Sequence, residues 1–273
     1  MKKIKKTKTP LVQINEFCQK FNLPYLFIKD ESKNPFGTWK DRRSRTIIKK
    51  ARHEIVDKLC LITSGNAGIS LANFTKETKL KTISIIDFNL SKRIKKSLTA
   101  ICYKVIETDL SKNILKSEEI ITLARENNAE SILDVTNGFH EAYESIIEEV
   151  CDENPDYLIL PVGSGEGFWG LYNGLQKKKI KTKLIGVAPK ARFSFADKLS
   201  TLYTPYNIKI KSVLAQEHKI ITLNEKEIYT AFMYAKNFID CEPSSAIVIG
   251  SLFKLHFNIQ DKIIVINSGK GLI

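Results

Sequence analysis

Along this chain, short runs that are apolar at every position alternate with longer stretches in which apolar and charged residues recur at helical spacing. Residues 25–29 (YLFIK) read as a strand, and the stretch from Trp39 to about Ile55 as a helix. CLITS at 60–64 precedes a helix from Ala67 to about Lys76, then TISIID at 82–87. A helix beginning near Ser91, the strand KVIET at 104–108 and a helix around 113–127 continue the order. Then come ILDVT from Ile132, a helix from about Phe139 to Cys151, YLILPV from Tyr157 and KLIGVA from Lys183. KIITL at 219–223 is followed by a helix opened by Asn224, where Glu227 three residues on completes a capping-box pattern. A second helix starts at Pro243, and IIVIN at 263–267 is the last strand.

Strands apolar on both faces and separated by helices predict parallel sheets covered on both sides, an α/β architecture. Ligands of such folds sit at the carboxyl ends of strands, on the turns into the next helix. Four segments at such turns stand out: GTWKDR, SGNAG, GSGEG and SGKG. No repeat or low-complexity linker divides the chain, so any domain split must be interleaved.

Composition narrows the class. With 43% hydrophobic residues in 273, the chain can bury one large core or two modest ones. No apolar run approaches the roughly 20 residues of a membrane helix. The opening MKKIKKTKTP is basic but has no apolar stretch behind it, so a soluble, cytoplasmic protein is expected. The net charge of +13 is spread over scattered lysines with no basic-aromatic module. This argues against nucleic acid and is compatible with a small anionic substrate or cofactor. The five cysteines and four histidines are dispersed, which suits reduced thiols and no metal site.

Taken singly, each of the four turns has an ordinary explanation. Lys40, in the run from Asn34 to Arg42, could be a solvated lysine on a basic helix. Placed in a first helical turn capped by Thr38, its cation is disfavoured by the helix dipole, which suits a nucleophilic amine. Thr63-Ser64-Gly65-Asn66-Ala67-Gly68 could be a plain strand-to-helix turn, or a cradle of hydroxyl, carboxamide and backbone N–H for a carboxylate or ring oxygen. Gly165, Gly167 and Gly170 satisfy GxGxxG after a strand. The strand that follows ends in Val187-Ala188-Pro189-Lys190, without the acidic residue a dinucleotide ribose needs. A single-phosphate cradle remains open. Ser268-Gly269-Lys270-Gly271 could be only a turn.

In order and together, these segments resemble the tryptophan synthase β family of fold type II pyridoxal-phosphate enzymes, and threonine synthases most closely. Thr9-Pro10-Leu11 resembles the opening segment of that branch, Asp30 to Arg42 its lysine motif, and 64–66 its Ser-Gly-Asn loop. Residues 161–165 match its phosphate loop, Glu242 to Ala246 its Glu-Pro-Ser-Ser-Ala segment, and 268–272 its terminal Ser/Thr-Gly-x-Gly-Leu pattern. The resemblance implies pyridoxal 5′-phosphate held by Lys40 as a Schiff base, with Lys40 later moving protons at the substrate α carbon. It implies Asn66 at the cofactor's 3′ oxygen, and Gly163, Ser164, Gly165 and Gly167 giving amides to the phosphate. Ser268 would face the pyridine nitrogen. Thr63, Ser64, Gly65, Ala67 and Arg42 would contact a small amino-acid substrate, phosphorylated in the threonine synthase case. The implied architecture is two interleaved three-layer α/β domains with mostly parallel sheets, 35–135 smaller and 1–34 with 136–273 larger. The cofactor would lie in the cleft between them, in a homodimeric lyase. Departures are Trp39 for Phe, Glu166 inside the phosphate loop, Lys270, and Gly138-Phe139-His140-Glu141 where the family has Gly-Gln-Lys-Thr. These keep open a serine/threonine dehydratase, a β-replacement enzyme, or a cofactor-binding paralogue with reduced or no turnover.

Overall fold

The computed structural model describes residues 8–111, 114–125, 131–199 and 205–271. The chain begins with β1 (Leu11–Val12), α1 (Asn15–Phe21), β2 (Leu26–Asp30) and α2 (Lys40–Ala51). It continues through β3 (Lys58–Ile62), α3 (Asn66–Thr75), β4 (Lys81–Asp87), α4 (Lys92–Thr99) and β5 (Lys104–Thr108). Then come α5 (Ser117–Ala124), β6 (Ile132–Asp134), α6 (Glu144–Val150), β7 (Tyr157–Pro161) and α7 (Glu166–Lys178). The last are β8 (Lys183–Pro189), α8 (Asn207–Leu214), β9 (Lys219–Leu223), α9 (Glu225–Ala235), α10 (Pro243–Lys254) and β10 (Ile263–Asn267).

Two compact units result. One spans Lys40–Phe139, and the other combines 8–39 with His140–Gly271. In the larger, six strands lie in the order β1-β2-β10-β7-β8-β9. All neighbours are parallel except β1, which pairs antiparallel with β2 at the edge. Alternating side chains along these strands feed two apolar layers. Ile28, Ile159, Ile185, Ile263 and Val265 pack with α1, α9 and α10. Leu158, Leu160, Leu184, Ile264 and Ile266 pack with α6, α7 and α8 on the other face. Because both faces are covered, β10 is buried at all five positions, which is why IIVIN carries no polar alternation.

In the smaller unit four parallel strands lie in the order β5-β4-β3-β6. Leu59 and Leu61 face α2 and α3, while Cys60, Ile83 and Ile85 face α5. Ile86 packs under Ile94 and Leu98 of α4, whose lysines take the outer side. Each unit is thus a three-layer α/β sandwich of mostly parallel strands, the class expected from the sequence. Among the described residues no helix is long and apolar enough to cross a membrane, and the five cysteines form no disulfide.

Several boundaries differ from the periodicity. The helix expected over 139–151 is split into a 3-10 turn His140–Tyr143, the α6 helix and a second 3-10 turn Cys151–Glu153. At Gly170 of α7 a Cβ would lie 2.1 Å from the His140 carbonyl oxygen, so two backbones meet where the first turn tightens. The helix expected around 113–127 is seen as Ser117–Ala124, and its flanks at 112–113 and 126–130 lie outside the described residues. The capping box at Asn224 forms reciprocally, with Glu227 N–H to the Asn224 side chain at 3.0 Å and Asn224 N–H to the Glu227 carboxylate at 2.7 Å.

His218 supplies a pH-sensitive joint. Its Nδ1 accepts the Leu184 N–H at 2.9 Å, and burial pushes its pKa below the ordinary value. The unfolded chain therefore binds this proton more readily than the folded one, so the stability it contributes is full above about pH 6.5 and is lost as pH falls below it. Thermal midpoints measured from about pH 8 to 5 should fall more steeply in the wild type than in His218→Asn, whose carboxamide oxygen accepts without titrating. Parallel profiles would remove His218 from the account.

Candidate functional site

In the larger unit, β7, β8 and β9 are laid outward in sequence order, and β10 then returns to the other side of β7. Neighbouring strands at such a reversal send their loops apart and leave a crevice at their carboxyl ends. The loop after β7 is Val162-Gly163-Ser164-Gly165, and the residue after β10 is Ser268. Gly165 has φ +86° and is the N-cap of α7, where it brings no side chain to cap the first-turn amides. A Cβ there would lie 2.4 Å from Ile210 Cδ1. At Gly167 it would strike the Trp39 ring at 2.5 Å, and at Gly163 it would sit 3.3 Å from the Leu199 Cα. Backbone thus forms a cradle at the start of a 13-residue helix, the arrangement that suits a phosphate.

The lysine motif is zipped onto the end of β10. Trp39 N–H donates to the Ser268 carbonyl at 2.8 Å, and Lys270 N–H donates to the Gly37 carbonyl at 3.0 Å. The Thr38 hydroxyl also donates to the Ser268 carbonyl, at 3.4 Å. Gly37 has φ +75°, and the aliphatic stem of Lys270 fills the space a side chain would need. Ser268 itself is buried.

The Glu242–Ala246 segment braces the same strand end. Glu242 N–H donates to the Gly269 carbonyl at 3.1 Å, and the Ser245 hydroxyl donates to Asn267 Oδ1 at 2.6 Å. Asn267 Nδ2 in turn donates to Asp30 Oδ1 at 2.8 Å, tying β10 to the end of β2. Ser244 accepts the Lys198 N–H at 3.0 Å, which fixes the backbone beside Gly163.

In the smaller unit the reversal falls between β3 and β6. After β3, the Thr63 hydroxyl oxygen accepts the N–H groups of Gly65 and Gly68, both at 3.0 Å. Thr63 is expected among the substrate contacts, and here its oxygen shapes the turn. Gly65, with φ +134°, is the N-cap of α3; Ser64 is exposed, and Asn66 and Ala67 open the helix half-buried. Ile62 N–H donates to the Thr136 hydroxyl at 3.1 Å, joining this loop to the one after β6. Lys40 is half-buried at the first position of α2. Arg42 is only 4% exposed, and Arg43 donates to the Val135 carbonyl.

The expected residues therefore fall into two groups, each at the reversal of its own sheet or the helix start beside it. Gly163, Ser164, Gly165, Gly167 and Ser268 belong to the larger unit. Lys40, Arg42 and Thr63 to Ala67 belong to the smaller one. Ser245 lies in the Glu242–Ala246 segment and Asn267 ends the last strand, but the bond between these two buried residues appears only once the strands are paired.

Glu166, the acidic residue of the phosphate loop, is 2% exposed at the first position of α7. Its charge acts on His140, where burial lowers the pKa most, Glu141, Glu166 and Glu144 oppose that, and Lys209 adds to it. The His140 ring lies 6.3 Å from Trp169 and 5.9 Å from Tyr206. His140 Nδ1 and Trp169 Nε1 are buried without a hydrogen-bond partner. Polar and aromatic side chains thus gather where the resemblance leads one to expect Gln-Lys-Thr.

The larger unit offers a hydroxyl after β10 and a glycine cradle at a helix start, and the smaller an amine and a carboxamide, each of a kind that pyridoxal 5′-phosphate takes. A family model described as pyridoxal-phosphate dependent enzyme matches residues 4–269. Among solved structures, maize serine racemase has TM-score 0.78 at 17% identity over 98% of this chain and 89% of that one. O-acetylserine dependent cystathionine beta-synthase from Helicobacter pylori has TM-score 0.79 at 20% identity over 97% and 94%. The processed form of threonine deaminase isoform 2 from Solanum lycopersicum has TM-score 0.74 at 17% identity over 97% and 84%. At these identities the likeness is one of fold.

Two glycines separate backbone strain from steric demand. A Cβ added at Gly138, which has φ +89°, would meet nothing within 4 Å, whereas one at Gly165 would meet Ile210 at 2.4 Å. Urea denaturation should show Gly138→Ala costing about 1–2 kcal/mol and Gly165→Ala roughly twice that. Equal losses would mean that the loop after β7 is free to widen.

Proposed function

Because this chain belongs to the family of pyridoxal-phosphate dependent enzymes, we propose that it is a threonine synthase-like lyase converting O-phosphohomoserine to threonine and phosphate. The observation that carries the reading is the intact Glu242–Ala246 segment, resembling that of threonine synthases and clamped by Glu242 and Ser245 onto Asn267 and Gly269. When bound, the cofactor supplies an electron sink for charge developing at the substrate α carbon.

The chain's own residues do the rest. The Lys40 amine would hold the cofactor through its carbonyl carbon, with loss of water, and once displaced by the substrate amine would carry protons to and from the substrate's α carbon. Asn66 donates to the 3′ oxygen. Ser64 and the amides of Gly65 and Ala67 receive the substrate carboxylate, with Thr63 setting the turn and Arg42 adding positive charge. The amides of Gly163, Ser164, Gly165 and Gly167 bind the cofactor phosphate at the start of α7. Ser268 offers the pyridine nitrogen a hydroxyl instead of a carboxylate. A hydroxyl there would not stabilise a protonated pyridine nitrogen as a carboxylate would, which would suit elimination and replacement at the β or γ carbon. The reading carries with it a cytoplasmic homodimer acting on a small amino acid, with no nucleic-acid partner.

A second reading, serine/threonine dehydratase or β-replacement on the same scaffold, is favoured by the group of His140, Glu141 and Trp169. It stands in place of the Gln-Lys-Thr stretch, and substrate selection would differ there.

Protein purified with the cofactor should release phosphate from O-phosphohomoserine, and Lys40→Ala should abolish this, a loss of at least about 10³-fold. Oxoacid and ammonia from serine or threonine, without phosphate release, would favour the second reading. Cofactor binding with no product from any of these would leave a binding paralogue.

A further inference from the structure

We infer that Ser70, acting through Asp41 and Ser44, is a positioning residue that sets the spacing between Lys40 and Asn66. The inference rests on the reading in which those two residues hold the cofactor. All five lie in the smaller unit, on α2 and α3.

The Ser70 hydroxyl donates to Asp41 Oδ1 at 2.6 Å, and the Ser70 and Ser44 oxygens are 2.7 Å apart. Ser70 has one hydrogen, and Asp41 takes it, so Ser44 is the donor in the second bond. Asp41 and Ser70 are 0% exposed, and Ser44 is 1% exposed. A carboxylate fully removed from water is costly unless charge-assisted bonds hold it. The surrounding helix contact, formed by Ile47, Ile48 and Leu71, is apolar. A buried polar link in such a seam fixes geometry that apolar packing leaves loose.

What it fixes follows from the numbering. Asp41 directly follows Lys40, and Ser44 lies one turn further along the same face of α2. Ser70 is four residues beyond Asn66, one turn down the same face of α3. One hydroxyl therefore grips two successive turns of α2 and stops α3 from sliding or rotating against it. In pyridoxal 5′-phosphate, the carbonyl carbon taken by the lysine and the 3′ oxygen sit on adjacent ring carbons. The amine of Lys40 and the carboxamide of Asn66 must then be held at one spacing. A slip between α2 and α3 would keep the first contact and lose the second.

The test uses the holoprotein. The cofactor's two long-wavelength absorption bands report whether the proton shared by its 3′ oxygen and the lysine nitrogen sits on one or the other. Asn66→Ala should change the band ratio by roughly fivefold, the equilibrium equivalent of one hydrogen bond. Ser70→Ala should shift it in the same direction, and the double variant should match Asn66→Ala alone, because Ser70 acts through Asn66. An unmoved ratio in Ser70→Ala, or additive shifts in the double variant, would overturn the inference. If Ser70→Ala does not fold, Ser44→Ala and its double with Asn66→Ala carry the same comparison. Borohydride reduction and peptide mapping of the wild type keep the two claims apart. A label on a lysine other than Lys40 sinks the cofactor reading, whereas a label on Lys40 with an unmoved ratio sinks only the role of Ser70.

Discussion

An ammonium group with no exposure to water must be surrounded by oxygen, and the larger unit is arranged around one such group. Lys29, in the middle of β2, is 0% exposed. Its Nζ lies 2.6 Å from the Glu149 carboxylate on α6 and 2.5 Å from the Thr9 carbonyl. The Thr9 hydroxyl donates to Glu31 at 2.6 Å, and Asn34 Nδ2 donates to the same carboxylate at 2.8 Å. Removing one partner of such a set leaves a buried charge uncompensated, which typically costs about 3–5 kcal/mol. Lys29 therefore ties the segment before β1 to the helix α6, and the Glu31 carboxylate, bonded to Thr9 and Asn34, ties that same segment to the loop that leads to Lys40.

The two sheets solve the same problem twice. In each, the strand order reverses once, beside β7 in the larger unit and beside β3 in the smaller. The glycine-bearing loop leaves from the strand at that reversal in both cases. What differs is how the turn is shaped. After β7, three glycines are imposed by close neighbours, namely Leu199, Ile210 and Trp39. After β3, a threonine hydroxyl gathers two backbone amides, and a single glycine takes the positive φ. The first presents main chain with no side chain at its glycines. The second presents the side chains of Ser64 and Asn66.

Much of this was legible from periodicity because buried parallel strands announce themselves. KVIET, KIITL and IIVIN coincide with β5, β9 and β10. The elements left unassigned were those whose local signals are weak. β1 is two residues long, and α1 is seven residues with Phe17 alone buried and no side chain capping its start. In α8, Asn207–Leu214, isoleucine and lysine alternate as they would in a half-exposed strand; burial of Ile210 and Val213, three apart, is what makes it a helix. At the site, the four turns could be located because glycine and proline punctuate them. The bonds of Ser245, Asn267, Ser70 and Thr136 could not, since each joins residues distant in sequence and depends on strand order.

The position of β10 has a bearing on how the protein is made. It is the last described strand, yet it occupies an inner slot between β2 and β7, paired with both. During synthesis, β2 and the β7–β9 segment leave the ribosome with an unfilled edge on each side of that slot. They must wait as separate pieces until residues 263–267 arrive. The smaller sheet has no such gap, because its strands are contiguous in sequence from Lys58 to Asp134 and β6 adds at an outer edge. Nascent chains should therefore carry an ordered smaller sheet while the larger one still exposes open strand edges. Those edges are where a stalled or shortened product would meet chaperones or its own neighbours.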